Sequence, residues 1–151
     1  MGQQQLLLVI LVTILVGIAT VVAINVFGES AEQANADAVR QDLLSAASNA
    51  QAIWTKPTQL GGAGGDFLAE TLTAEALLQQ LRIPGTRSTE GEGEAEVGIV
   101  TNENGVYRLG TIASNSLVVE AEPSSYRNDI RLTVTRNLTT DSWDITIVDD
   151  L

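Results

Sequence analysis

The chain has 151 residues, 19 of them acidic and 8 basic, for a formal net charge of −11. It contains no Cys and no His, so Cys/His zinc sites, haem ligated through either residue, Cys nucleophiles and Ser-His-Asp machinery all lack their ingredients. A chain this acidic is a poor partner for nucleic acid, whose phosphates need clustered Lys and Arg. No cofactor or metal is expected. The charge is unevenly spread: no ionisable side chain precedes Glu29.

Residues 6–27 read LLLVILVTILVGIATVVAINVF, interrupted only by Thr13, Gly17, Thr20 and Asn25. As a helix this run rises about 33 Å, close to the ~30 Å hydrocarbon core of a bilayer. A cleaved secretory signal fits less well. MGQQQ has no basic residue, the apolar run is too long, and the small-x-small triplet Ala36-Asp37-Ala38 falls inside the next helical pattern. The acidic remainder favours a C-terminus outside the membrane.

The helical pattern continues past Glu29 without a Pro until Pro57. Val39, Leu43, Ala46, Ala50 and Ile53 line one face, which Ala47 and Trp54 widen. One helix over about residues 3–55 is predicted, apolar all round in its first half and amphipathic in its second. Gly28, its weak point, costs about 1 kcal/mol relative to Ala.

Gly61-Gly62-Ala63-Gly64-Gly65 stops that helix. It lacks the Lys-Ser/Thr of a phosphate cradle and reads as a flexible connector. Thr73 is placed to cap a short helix through Leu77, Leu78 and Leu81, with Leu72 stapled against Leu77 and Pro84-Gly85 as its end. Thr86 to Glu94 reads as an exposed acidic link. The alternating Glu90, Glu92, Glu94 and Glu96 admit a calcium site in principle, but lack the spacing of a dedicated loop.

From Glu96 the period becomes two. Val97 and Ile99 open a strand, and Asn104-Gly105 is a type I′ hairpin signal. Val106 to Ile112 returns, Ser114-Asn115 turns, and Leu117, Val119 and Ala121 alternate up to Pro123. Ile130, Leu132 and Val134 form the next strand; Trp143, Ile145 and Ile147 form the last. The expected architecture is α+β, a long N-terminal helix packed on an antiparallel meander of four to five strands. It divides into an apolar helix (1–28), its amphipathic continuation (29–56), a loop, short helix and acidic linker (57–95), and the sheet (96–151). Val39, Leu43, Ala46, Ala50, Ile53 and Trp54 are the face expected under the sheet. Asp141, Asp144, Asp149 and Asp150 cluster near the C-terminus, where turns attract Asp anyway. Asn137-Leu138-Thr139 matches the N-glycosylation sequon in a predicted turn.

A long helix, apolar and then amphipathic, followed by a loop and an antiparallel meander, resembles the type IV pilin-like proteins. The resemblance covers the whole chain in architecture, with few shared motifs. It implies a structural subunit of an extracellular pilus-like filament for adhesion or motility, not an enzyme. The polymerising helix would present Leu6, Leu7, Val9, Ile10, Thr13, Ile14, Gly17, Ile18, Thr20, Val21, Ile24 and Phe27. The partners implied are further copies of the chain, the inner membrane before assembly and an external assembly machinery. The family's peptidase cuts after a Gly, which would fall between Gly2 and Gln3. This sequence departs from the family there: the leader would be two residues with no basic side chain, and Leu7 stands where the family's Glu is usual. A membrane-anchored envelope protein, or a minor pseudopilin whose sheet binds a partner, is the alternative.

Overall fold

The computed structural model describes residues 2–70, 72–90 and 97–150. Helix α1 runs Gly2–Thr55, and a 3-10 turn follows at Thr58–Leu60. After helix α2 (Ala74–Gln80) come β1 (Thr86–Glu90), β2 (Val97–Thr101), β3 (Gly105–Ala113), β4 (Ser116–Pro123), β5 (Asp129–Asn137) and β6 (Ser142–Asp150). The contacts divide the chain into two units, one ending at Ala34 and one beginning at Asn35. The first unit is helix alone, and every described residue up to Ala34 is exposed.

The second unit is the expected α+β arrangement. From Asn35 to Thr55, α1 buries Ala36, Val39, Leu43, Ala46, Ala47, Ala50, Ile53 and Trp54. These residues share one core with Val100, Tyr107, Leu117, Val119, Ala121, Ile130, Leu132 and Val134 of the sheet. Register explains the match, because inward residues sit opposite inward residues: Tyr107 faces Ala121, Val119 faces Leu132, and Leu132 faces Ile147. The sheet is a pure meander in the order β1-β2-β3-β4-β5-β6, antiparallel at every step.

The sheet therefore has six strands, not four or five. The extra strand is β1, in the segment expected to be an acidic link. TRSTE has no apolar alternation, and it is recruited by backbone pairing with β2, from Thr86 opposite Thr101 to Glu90 opposite Val97. Glu92, Glu94 and Glu96 of the considered calcium site lie outside the described residues.

Three turns also differ in detail. Neither Asn104 nor Gly105 has positive φ, so the β2–β3 connection is not type I′. Instead Asn102 Oδ1 accepts from the Asn104 and Gly105 amides, and the Asn102 amide donates to the Gly105 carbonyl. Helix α2 ends before Pro84-Gly85, with Arg82 taking the left-handed conformation at φ 54° just past Leu81. Thr73 caps it as predicted, its Oγ1 accepting from the Ala76 amide at 3.2 Å. The glycine loop, read as a flexible connector, is a C-terminal cap: the amides of Ala63, Gly64 and Gly65 donate to the carbonyls of Ile53, Lys56 and Trp54. A Cβ at Gly62 would lie 2.2 Å from the Lys56 carbonyl oxygen, so glycine is needed there.

Strand β3 carries one extra residue. Leu109 faces Val119 but Ile112 faces Leu117, so three steps on β3 match two on β4. The bulge brings both Leu109 and Ile112 against the core, where strict alternation would have turned Ile112 away.

Candidate assembly helix

A helix with no charge and few hydroxyls presents one kind of surface on all sides. From Leu6 to Phe27, sixteen large apolar side chains are exposed, between 50% at Val12 and 75% at Phe27. The residues expected to drive polymerisation all lie on this surface, from Leu6, Leu7, Val9, Ile10 and Ile14 through Ile18, Val21 and Ile24 to Phe27. They do not select a single face, because their neighbours Leu8, Leu11, Leu15 and Val22 are exposed too.

Two of the polar interruptions are internally satisfied. Thr13 Oγ1 donates to the Val9 carbonyl at 2.7 Å and Thr20 Oγ1 to the Val16 carbonyl at 2.8 Å. Neither hydroxyl is left demanding water, which suits an apolar surrounding. At Gly17 nothing lies within 4 Å of where a Cβ would be, so the space beside it is open. Gly2 and Gln3 are exposed and already belong to the first turn of α1. The helix is long and apolar enough to cross a membrane, and none of its most apolar 18-residue window is buried in the chain.

The second unit presents a covered helix face. The predicted Val39, Leu43, Ala46, Ala50, Ile53 and Trp54 all meet the sheet core. What the sequence did not signal is the polar stitching around them. Asp42 Oδ2 accepts from Tyr107 Oη at 2.7 Å, Asn104 Nδ2 at 2.9 Å and Asn102 Nδ2 at 3.0 Å. Burial first, and then the Asp42 carboxylate, hold the Tyr107 phenol protonated well above the ordinary tyrosine range.

Asn35 Nδ2 donates to the Asn104 carbonyl, while its Oδ1 accepts from the Ser125 and Tyr126 amides. Arg40 bridges Asp37 and Asp149, and Tyr126 Oη donates to the same Asp149 oxygen at 3.2 Å. Burial opposes charge on Arg40, but its bonds to Asp149 and Asp37 prevail and raise its pKa. Apart from Asp37–Arg40, an i, i+3 pair on the helix, and Tyr126–Asp149, 23 residues apart, each partner lies at least 60 residues away, so no local pattern announces the rest of the set.

The other side chains considered for chemistry are dispersed. Asp149 is held by Arg40 and Tyr126, and Asp141 is bonded to Arg136. Among the described residues no group of three or more acids is placed to hold a metal ion. Arg108 pairs with Glu122 and Arg131 with Glu120 across strands, while Arg136 also lies over the Trp143 ring at 5.2 Å. Arg108, Arg131 and Arg136 are thus engaged, at least in part, within their own sheet. A cleft of about 260 Å³ between α2 and the β1–β2 edge is lined by Glu75, Leu78, Gln79, Arg87, Ser88, Gly98 and Ile99. It offers one acid and one base beside Leu78 and Ile99.

The architecture is that of an α+β protein with a long N-terminal helix and a C-terminal antiparallel sheet. No protein-family model, curated protein or solved structure matches the chain.

Proposed function

We propose that the chain is a structural subunit of an extracellular type IV pilus-like filament, polymerising through residues 6–27 for adhesion or motility. The supporting observation is the uncharged helix whose sixteen large apolar side chains have no cover within the chain. Full burial is worth about 1.5–3 kcal/mol for each such side chain, so water is not where this helix rests. Lipid covers it in the inner membrane before assembly, and other copies of the same helix cover it afterwards. An external machinery drives the transfer. Small residues at Gly17, Ala19 and Ala23 let helices approach closely when leaving water is no longer the gain.

A charge placed in that packed core has no partner and is strongly unfavourable. Val16→Asp or Ile18→Asp abolishes filaments seen by electron microscopy, while Trp fluorescence shows the second unit still folded. Filaments persisting in both variants would end the proposal. The alternative is a membrane-anchored envelope protein or minor pseudopilin whose sheet binds a partner, and the cleft at Glu75 and Arg87 favours it. Shearing decides between the two: a sheared fraction rich in this chain supports the filament, and one nearly devoid of it supports the alternative.

A further inference from the structure

The β5–β6 hairpin carries the chain's only Asn-x-Ser/Thr triplet, Asn137-Leu138-Thr139. Pairing closes at Asn137 opposite Ser142, so residues 138–141 form the tip. All five residues from Asn137 to Asp141 are exposed, Leu138 at 71%. Asn137 Oδ1 accepts from the Thr139 amide at 2.9 Å and the Thr140 amide at 3.1 Å. The carboxamide is therefore fixed with its oxygen turned into the hairpin, and Nδ2, the other substituent of the carboxamide carbon, has no hydrogen bond among the described residues. The Thr139 hydroxyl also has none there, whereas Thr140 Oγ1 is 2.7 Å from Ser142 Oγ.

We infer that Asn137 is an N-glycosylation acceptor, modified from a lipid-phosphate-linked oligosaccharide by a transferase at the outer membrane face. The sequence triplet states the possibility; the hairpin supplies reach and geometry. Nδ2 attacks the anomeric carbon, and the new C–N bond forms as the bond from that carbon to the phosphate oxygen breaks. The lipid phosphate leaves with the electron pair, and the Nδ2 proton passes to a base of the transferase. Both bonds to Oδ1 survive this substitution, so the tip keeps its shape. The Thr139 hydroxyl, without a partner among the described residues, is available to the transferase, and a glycan beside Leu138 shields an apolar side chain that is 71% exposed. The inference rests on the filament reading only in placing the second unit outside the membrane.

The test is mass spectrometry of the chain purified from the cells that make it. Trypsin cutting after Arg136 releases a peptide that begins at Asn137 and meets no further Lys or Arg up to Leu151. That peptide is expected to be heavier by a whole number of sugar residues attached at Asn137. Thr139→Ala should return it to the polypeptide mass without changing the melting transition, and Thr139→Ser should keep the added mass. An unmodified peptide, or sugar on a Thr hydroxyl instead, overturns the inference. Microscopy of the same preparation separates the two proposals. Filaments built of unmodified chain remove the glycan alone, and glycosylated chain that never forms filaments removes the filament alone.

Discussion

Asp42 places one carboxylate oxygen within hydrogen-bond reach of three donors, two from the β2–β3 turn and one from the phenol of Tyr107 inside the sheet. Such a group holds a particular register between helix and turn, because a shift would strip the buried Tyr107 phenol of its acceptor, at about 1–3 kcal/mol. Among the described residues no buried side-chain nitrogen or oxygen lacks a partner, so these bonds complete the core. The raised pKa of Tyr107 gives a pH dependence of definite sign. Below the ordinary tyrosine value of about 10 the phenol is protonated whether the chain is folded or not. Above it only the unfolded chain releases the proton, so the unfolded state binds fewer protons and stability falls as pH rises. The slope contributed is about 1.4 kcal/mol per pH unit until the folded phenol also ionises. Tyr107→Phe is therefore expected to be less stable than the parent near neutrality yet less sensitive between pH 10 and 11. Urea transitions of the full chain in detergent, followed by Trp54 and Trp143 fluorescence, read both effects. Parallel pH profiles would show that the phenol is not the titrating group.

The strands with apolar alternation were legible because burial on one face leaves a period of two, as in Ile130, Leu132 and Val134. Helix α1 was legible for the same reason at its own period. Strand β1 was not, since Thr86, Arg87 and Ser88 remain exposed and only backbone pairing to β2 makes them a strand. The glycine loop hid its role because capping uses main-chain amides, which no side-chain pattern reveals. The Asp42 and Asn35 contacts were illegible for a different reason, their partners being set by tertiary packing across 60 to 91 residues. The apolar helix was fully legible as a surface, whereas its occupant is not a property of one chain. At Gly105 the need for glycine is also tertiary: an added Cβ would lie 2.3 Å from the Glu122 carbonyl oxygen and 2.9 Å from Pro123 Cα. Both obstacles are backbone, so relief requires β3 and β4 to separate at the end beside the Asn102 turn. Gly105→Ala is expected to lower the urea midpoint by the equivalent of about 1–3 kcal/mol, the usual cost of overpacking. An unchanged midpoint would mean that this end of the pair is slack.

Every formal charge of the chain follows Gly28, so in the proposed filament copies that share an apolar helix core would also bring together charged portions that each carry −11. Assembly of the proposed filament would then oppose two terms of different range. Apolar burial of residues 6–27 acts at contact and depends weakly on salt, whereas repulsion between acidic units acts across the Debye length. That length is about 30 Å at 0.01 M ionic strength and about 8 Å at 0.15 M. At low salt each unit is repelled by several neighbours; near physiological salt it interacts with little beyond direct contacts. The cross-strand pairs Arg108–Glu122 and Arg131–Glu120 engage basic charge within a copy and reduce what remains to offset a neighbour's acids. The concentration of chain needed for filament growth after detergent dilution should therefore fall as NaCl rises from about 0.01 to about 0.15 M, and then level off. Glu29 and Glu32 are the first acids beyond the apolar stretch and both are exposed on α1, where bundled helices would bring their equivalents close. Replacing both with Gln should lower the threshold at low salt and flatten its dependence, with little change at high salt. Light scattering and microscopy over a salt series measure this. A threshold that is constant with salt, or that rises with it, would mean that the acidic units do not approach one another in the assembled state.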